Sequence, residues 1–135
     1  MERRDFLKRC LLLAGAAGLA GPSAALASQG SFPAGVVYTK DNPGKWEKKA
    51  GGHLPQAAVD GGKVTIVTPH PMSEQHFIVR HTLVSADGTV LGEKTFTGSD
   101  PKAESTFDLP AGQSGKLYAT SFCNLHDFWL TEFTV

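Results

Sequence analysis

The chain has 135 residues, with 13 basic and 13 acidic side chains and no formal net charge at pH 7. That length fits one domain, and a hydrophobic content of 41% is enough for a single core. Balanced charge and ordinary complexity exclude a largely disordered chain and give no basic block for nucleic acid.

Residues 1–27 read as a targeting signal. Arg3-Arg4-Asp5-Phe6-Leu7-Lys8 is a twin-arginine pattern, an apolar run extends from Leu11 to Ala20, and Ala25-Leu26-Ala27 is a small-residue cleavage site before Ser28. The run is shorter and richer in Gly and Ala than a membrane span, which needs roughly 20 strongly apolar residues. Cleavage, export to the periplasm and no stable membrane contact afterwards are the expectation; an uncleaved anchor is the alternative. The mature part keeps nine basic and eleven acidic side chains. Cys10 leaves with the signal, so Cys123 is the one cysteine remaining. A single thiol in an oxidising compartment is free, intermolecular or a metal ligand. Twin-arginine cargo typically folds before export, often around a cofactor, which favours the ligand.

Residues 28–45 hold Gly, Pro and Ser without periodicity and form an N-terminal arm. Residues 46–62 read as a loop, with Gly51-Gly52 and Gly61-Gly62 as breakers. From there the chain reads as strands. Lys63 to Val67 alternates polar and apolar residues, and Gln75 to Ser85 is rich in β-branched and aromatic types. Asp87-Gly88 marks a tight hairpin into Val90 to Phe96. Ser105 to Leu109, Lys116 to Phe122 and Phe128 to Val135 complete the set. No helical period is sustained, and short strands between regular turn signals predict an all-β sandwich.

The chemistry lies in the histidines and Cys123. His53, His70, His76 and His126 fall in loops or at strand ends, and Cys123-Asn124-Leu125-His126 places a thiolate and an imidazole three residues apart. Each element alone is weak, since a lone His is more often a surface or core residue. Together, one thiolate with several imidazoles suits iron or copper. Structural zinc prefers four ligands, whereas this set offers five. Blue copper uses an axial Met; none follows Cys123, and Met72 lies between two other candidates, which weighs against copper and leaves it open. His81, in a strand five residues after His76, is expected on the opposite face with no metal role, as ordinary surface or cross-strand packing.

Three segments carry a resemblance: Thr68-Pro69-His70-Pro71-Met72-Ser73-Glu74-Gln75-His76-Phe77-Ile78, Asp100-Pro101-Lys102-Ala103-Glu104, and Tyr118 to Trp129 around Cys123-Asn124-Leu125-His126. With His53-Leu54-Pro55, they resemble the superoxide reductase family, the iron-binding domain shared by neelaredoxin and desulfoferrodoxin, over residues 46–135. The resemblance implies an immunoglobulin-like sandwich of about seven antiparallel strands and one iron ion (Fe2+/Fe3+). It implies His53, His70, His76 and His126 in a plane, His126 through Nδ1, with Cys123 axial and the sixth position open to superoxide. Backbone N–H groups near Asn124 and Leu125 would reach the sulfur. The implied reaction reduces superoxide to hydrogen peroxide, with a small electron-donor protein restoring ferrous iron. Homo-oligomers are common in this family, although no interface pattern is legible here.

One departure is clear. The family usually places Glu-Lys directly before the first histidine, whereas Gly51-Gly52 precedes His53. Glu47, Lys48 and Lys49 are the nearest substitutes; the alternative is that all three are solvated surface charges. The Cys-rich motif of desulfoferrodoxin's second, rubredoxin-like iron domain is not among these residues. Two rival functions stand beside the reductase: a non-catalytic periplasmic metal-binding or sulfur-oxidation partner module, and a copper electron-transfer protein.

Overall fold

A computed structural model describes residues 32–135. The twin-arginine pattern and its cleavage site lie outside the described residues. Seven strands follow one another: β1 (Gln56–Asp60), β2 (Lys63–Thr68), β3 (Ile78–Ser85), β4 (Val90–Thr95), β5 (Ala103–Asp108), β6 (Lys116–Cys123) and β7 (Asp127–Thr134). They form a three-stranded sheet in the order β1-β2-β5 and a four-stranded sheet in the order β4-β3-β6-β7, with every neighbouring pair antiparallel. Strands β1, β2 and β5 against β3, β6 and β7 are the immunoglobulin-like division, with β4 joined to β3 rather than to β5.

The segment read as a loop over 46–62 is the main correction. It begins in a 3-10 stretch, Gly44–Lys49, which runs into one α-helical turn, α1 (Ala50–His53), and it ends in β1. Gln56-Ala57-Ala58-Val59-Asp60 has too few β-branched and aromatic residues to announce a strand. Gly61 and Gly62 are its signal: both take positive φ, 55° and 80°, between the paired Asp60 and Lys63. Positive φ at both central residues is what a type I′ hairpin turn requires. The Asp87-Gly88 hairpin forms as expected, with Gly88 at φ 88° and Ser85 N–H donating to the Thr89 carbonyl at 2.9 Å.

Alternation along the strands builds the core. Val64 and Ile66 of β2, Leu83 of β3, and Leu117 and Ala119 of β6 are fully buried at one end of the sandwich. Each large aliphatic side chain buried there contributes roughly 1.5–3 kcal/mol. A second cluster, Ile78, Phe96, Ala103 and Cys123, closes the other end. The arm is pinned by Tyr38, which is buried and whose N–H donates to the Phe128 carbonyl at 2.9 Å, while Leu130 N–H donates to the Tyr38 carbonyl.

Connections that change sheets place the chemistry at one end. The β2–β3 crossing, residues 69–77, carries His70 and His76; the β6–β7 hairpin carries His126 three residues after Cys123. His53 closes the helical turn that enters β1.

Candidate metal centre

His53, His70, His76, Cys123 and His126 each present one ligand atom, and the five atoms lie within 4.8 Å of one another. The imidazoles form a ring. His53 Nε2 is 3.1 Å from His126 Nδ1, which is 3.0 Å from His76 Nε2, which is 3.0 Å from His70 Nε2. Ring centroids of neighbours are 4.3–4.7 Å apart, whereas His53 and His76, on opposite corners, are 6.0 Å apart. Nitrogens separated by such edges match a metal at the usual imidazole bond length of about 2.0–2.1 Å. Cys123 Sγ lies 3.3 Å from His76 Nε2, 3.6 Å from His126 Nδ1 and 4.0 Å from His70 Nε2. Bare nitrogens and a sulfur do not crowd this way for their own sake; four imidazoles and one thiolate fit a borderline metal such as iron.

Local structure aims each donor. His53 Nδ1 donates to the Lys49 carbonyl at 2.8 Å, one helical turn back, so Nε2 is the free nitrogen. The six-residue span from His70 to His76 is folded by Ser73: Ser73 N–H donates to the His76 carbonyl at 3.0 Å, and His76 N–H donates to Ser73 Oγ at 3.1 Å. Gly98 supports that loop from below. A Cβ at residue 98 would sit 2.4 Å from Glu74 Cα and 2.5 Å from the Ser73 carbonyl oxygen, so a larger residue displaces the ligand loop.

At the hairpin, Asp127 takes φ 67°, a left-handed conformation that Asp tolerates better than most residues. This sharp turn brings His126 back beside Cys123 and explains its use of Nδ1. Trp129 is fully buried, tilts onto the His53 ring with centroids 5.7 Å apart, and donates its indole N–H to the His126 carbonyl at 2.8 Å.

Burial disfavours protonation of three of the four ring donors. It is the largest cause lowering His53, His126 and His70, the last to about 4, and the neighbouring ring charges add to it. Burial also pushes the Cys123 thiol up, while the backbone N–H groups of Leu125 and His126 at its sulfur pull it down. Leu125 is therefore a donor to the sulfur as expected, and His126 rather than Asn124 is the other. Asn124 N–H is spent on the Phe77 carbonyl, 3.2 Å away.

Of the three charged residues considered near His53, all are exposed. Lys49 alone bears on the cluster: its charge depresses both His53 and His126. Glu47 and Lys48 do not shift His53, His70, Cys123 or His126. His81 proves to be fully buried between the sheets; His76 precedes β3, so strand alternation does not relate the two.

Two supporting residues went unread in the sequence. The Asn124 side chain accepts from Phe77 N–H at 3.0 Å and donates to the Gln75 carbonyl at 3.0 Å, bracketing His76. Trp46 stands edge-on to His126 with centroids 4.6 Å apart, and its indole N–H donates to Asp127 Oδ2 at 2.9 Å. Asn directly after the ligand cysteine was the available signal for the first; nothing local announces the second.

Comparison with known proteins places this geometry. A family model described as Desulfoferrodoxin matches residues 47–132. A superoxide reductase of Thermococcus kodakarensis is 32% identical over 99 residues, 67% of this chain and 82% of that protein. A desulfoferrodoxin of Nitratidesulfovibrio vulgaris is 37% identical over 83 residues, 59% of this chain and 61% of that protein. Among solved structures, a superoxide reductase (neelaredoxin) from Ignicoccus hospitalis aligns with a TM-score of 0.61 at 27% identity, covering 78% of this chain and 98% of the other.

Proposed function

The chain belongs to the desulfoferrodoxin family, whose single non-haem iron and superoxide reductase activity suit this donor set, and we propose that it is an exported enzyme reducing superoxide to hydrogen peroxide. The observation that carries the reading is the convergence of four ring nitrogens and the Cys123 sulfur within 4.8 Å. His53, His70 and His76 would hold the iron through Nε2, His126 through Nδ1, and Cys123 through Sγ as thiolate. Ferrous iron held there would supply the one electron that, with two protons, converts superoxide to hydrogen peroxide.

The chain's own groups prepare that step. Lys49 O holds the proton of His53 Nδ1, leaving Nε2 as a lone-pair donor. The Leu125 and His126 N–H groups stabilise negative charge on sulfur against the cost of burial. His76 and His126 are half-buried while the other three donors are buried, so solvent and substrate approach on their side. Imidazole ligands leave a bound cation's charge uncompensated, and the Lys49 charge, close enough to depress His53 and His126, adds to the attraction for an anion. Lys49 thus takes the role of the lysine that relatives place next to the first histidine, with Glu47 and Lys48 as solvated neighbours. Water delivers the protons, and a small donor protein returns the electron.

Export rests on Arg3-Arg4, the apolar run and Ala25-Leu26-Ala27; N-terminal sequencing of periplasmic protein beginning at Ser28 supports it, and retention of residues 1–27 in the cytoplasm refutes it. Pulse radiolysis tests the chemistry. Superoxide bleaches nothing in the colourless ferrous protein but raises a thiolate-to-iron band as one equivalent of peroxide forms. A protein that retains copper, or one whose iron is untouched by superoxide, contradicts the reading.

A further inference from the structure

Between the apolar end of the sandwich and the metal end lies a layer of buried polar side chains with no part in ligation. Thr68, His81, Ser105 and Ser121 are 1%, 0%, 3% and 0% exposed. They are joined end to end by three hydrogen bonds of 2.8 Å. Ser121 Oγ meets Thr68 Oγ1, Thr68 Oγ1 meets His81 Nε2, and His81 Nδ1 meets Ser105 Oγ. Each residue comes from a different strand. Thr68 and Ser105 belong to the three-stranded sheet, His81 and Ser121 to the four-stranded one, so every bond crosses between sheets.

The layer's depth is constant along the strands. On β6 the inward residues run Leu117, Ala119, Ser121, Cys123: apolar core, polar layer, then ligand. On β2, Thr68 follows buried Val64 and Ile66 and stands two residues before His70. A buried hydroxyl or imidazole without its partner costs far more than a methyl group in the same place. Four such groups on four strands are satisfied in one alignment of the two sheets. Hydrophobic contacts tolerate small slides; these directional bonds do not. His81 also packs edge-on against Phe96, centroids 4.9 Å apart, in the cluster that contains Cys123.

Resting on the reductase reading above, we propose that Thr68, His81, Ser105 and Ser121 act as a positioning layer that sets the His70 end of β2 against the Cys123 end of β6, and so tunes the metal's grip. None of the four is one of the five donors; Thr68 and Ser121 act through the backbone two residues from His70 and Cys123, and His81 and Ser105 hold Thr68 in place.

The test uses the full iron-loaded chain and three readouts: ferrous-iron affinity, the energy of the thiolate-to-iron band, and melting temperature. Thr68→Val keeps the shape but removes the hydroxyl shared by His81 and Ser121. It is expected to weaken iron binding on the order of 10-fold and to shift the band, as loss of outer hydrogen bonds to a metal site does. Thr68→Ser, which restores the hydroxyl, returns both to wild-type values. Ile66→Ala, on the same strand in the apolar end, lowers the melting temperature and leaves affinity and band unchanged. If Thr68→Val and Ser121→Ala lower only the melting temperature, the layer is core filling and the inference is overturned. A wild-type chain that shows no iron and no such band defeats the reductase reading itself, a different result from unaltered variants of a working centre.

Discussion

The two ends of this sandwich are made by the same strands and obey opposite rules. At one end Val64, Ile66, Leu83, Leu117 and Ala119 are fully buried by alternation alone, and any similar set of aliphatic side chains would serve. At the other, the strands stop and short connections take over, so that each donor depends on a particular turn: the helical turn at His53, the Ser73-folded loop at His76, the left-handed Asp127 after His126. One end is specified by pattern and the other by individual residues. The difference teaches where substitutions act on stability and where on chemistry.

The largest effect expected is at Cys123. Cys123→Ser removes the site's thiolate, abolishes the thiolate-to-iron band and lowers superoxide reduction by more than the roughly 10–100-fold that loss of an outer partner brings; stopped-flow absorbance checks both. Leu117→Ala is its counterpart, costing about 2–5 kcal/mol in urea unfolding while leaving the band where it was. Should Leu117→Ala move the band as Cys123→Ser does, the separation of the two ends is lost.

Acid probes the layer between them. Burial, reinforced by the Lys94 charge, lowers His81 to about 4. Below its ordinary value of about 6.5 the unfolded chain takes up a proton that the folded chain refuses. Its contribution is thus fully present above pH 6.5 and is lost as pH falls toward 4, amounting to roughly 3 kcal/mol. Urea titrations at pH 7 and pH 4.5 should show that loss, and His81→Gln should reduce it; equal pH slopes in both proteins would contradict it.

Asn124→Ala sharpens the comparison at the metal end, because it breaks the bonds on either side of His76 without removing a ligand. Because these bonds lie at an exposed site, a cost of about 0.5–1.5 kcal/mol is expected, read by thermal unfolding, together with weaker iron binding in a ferrous titration. Smallest is Lys49→Ala, with reaction with superoxide several-fold slower, on the order of 3–10-fold, and less dependent on salt. Pulse radiolysis at two ionic strengths measures it, and an unchanged salt slope would return Lys49 to the solvated charges.

Much of this was legible in the linear chain. Six of the seven strands show in alternation and in Asp87-Gly88, and the five donors show in their residue types and in the segments that resemble the family. Strand β1 was hidden because Gln56 to Asp60 carries almost no β signal, and its two-glycine turn reads equally well as a breaker. The polar layer was hidden for a different reason. Thr68, His81, Ser105 and Ser121 are unremarkable one by one, and only the pairing of β3 with β6 and the facing of two sheets brings them together. Asn124 and Trp46 act through contacts 47 and 81 residues away in sequence, beyond the reach of any local pattern.

X-ray absorption at the iron edge of the purified, iron-loaded chain bears most directly on the central claim. Imidazole nitrogens with a single sulfur at about 2.3 Å, the ordinary metal–thiolate distance, are the expected first shell, and the sulfur should vanish in Cys123→Ser. A shell of nitrogen and oxygen alone in the unmodified protein would contradict it.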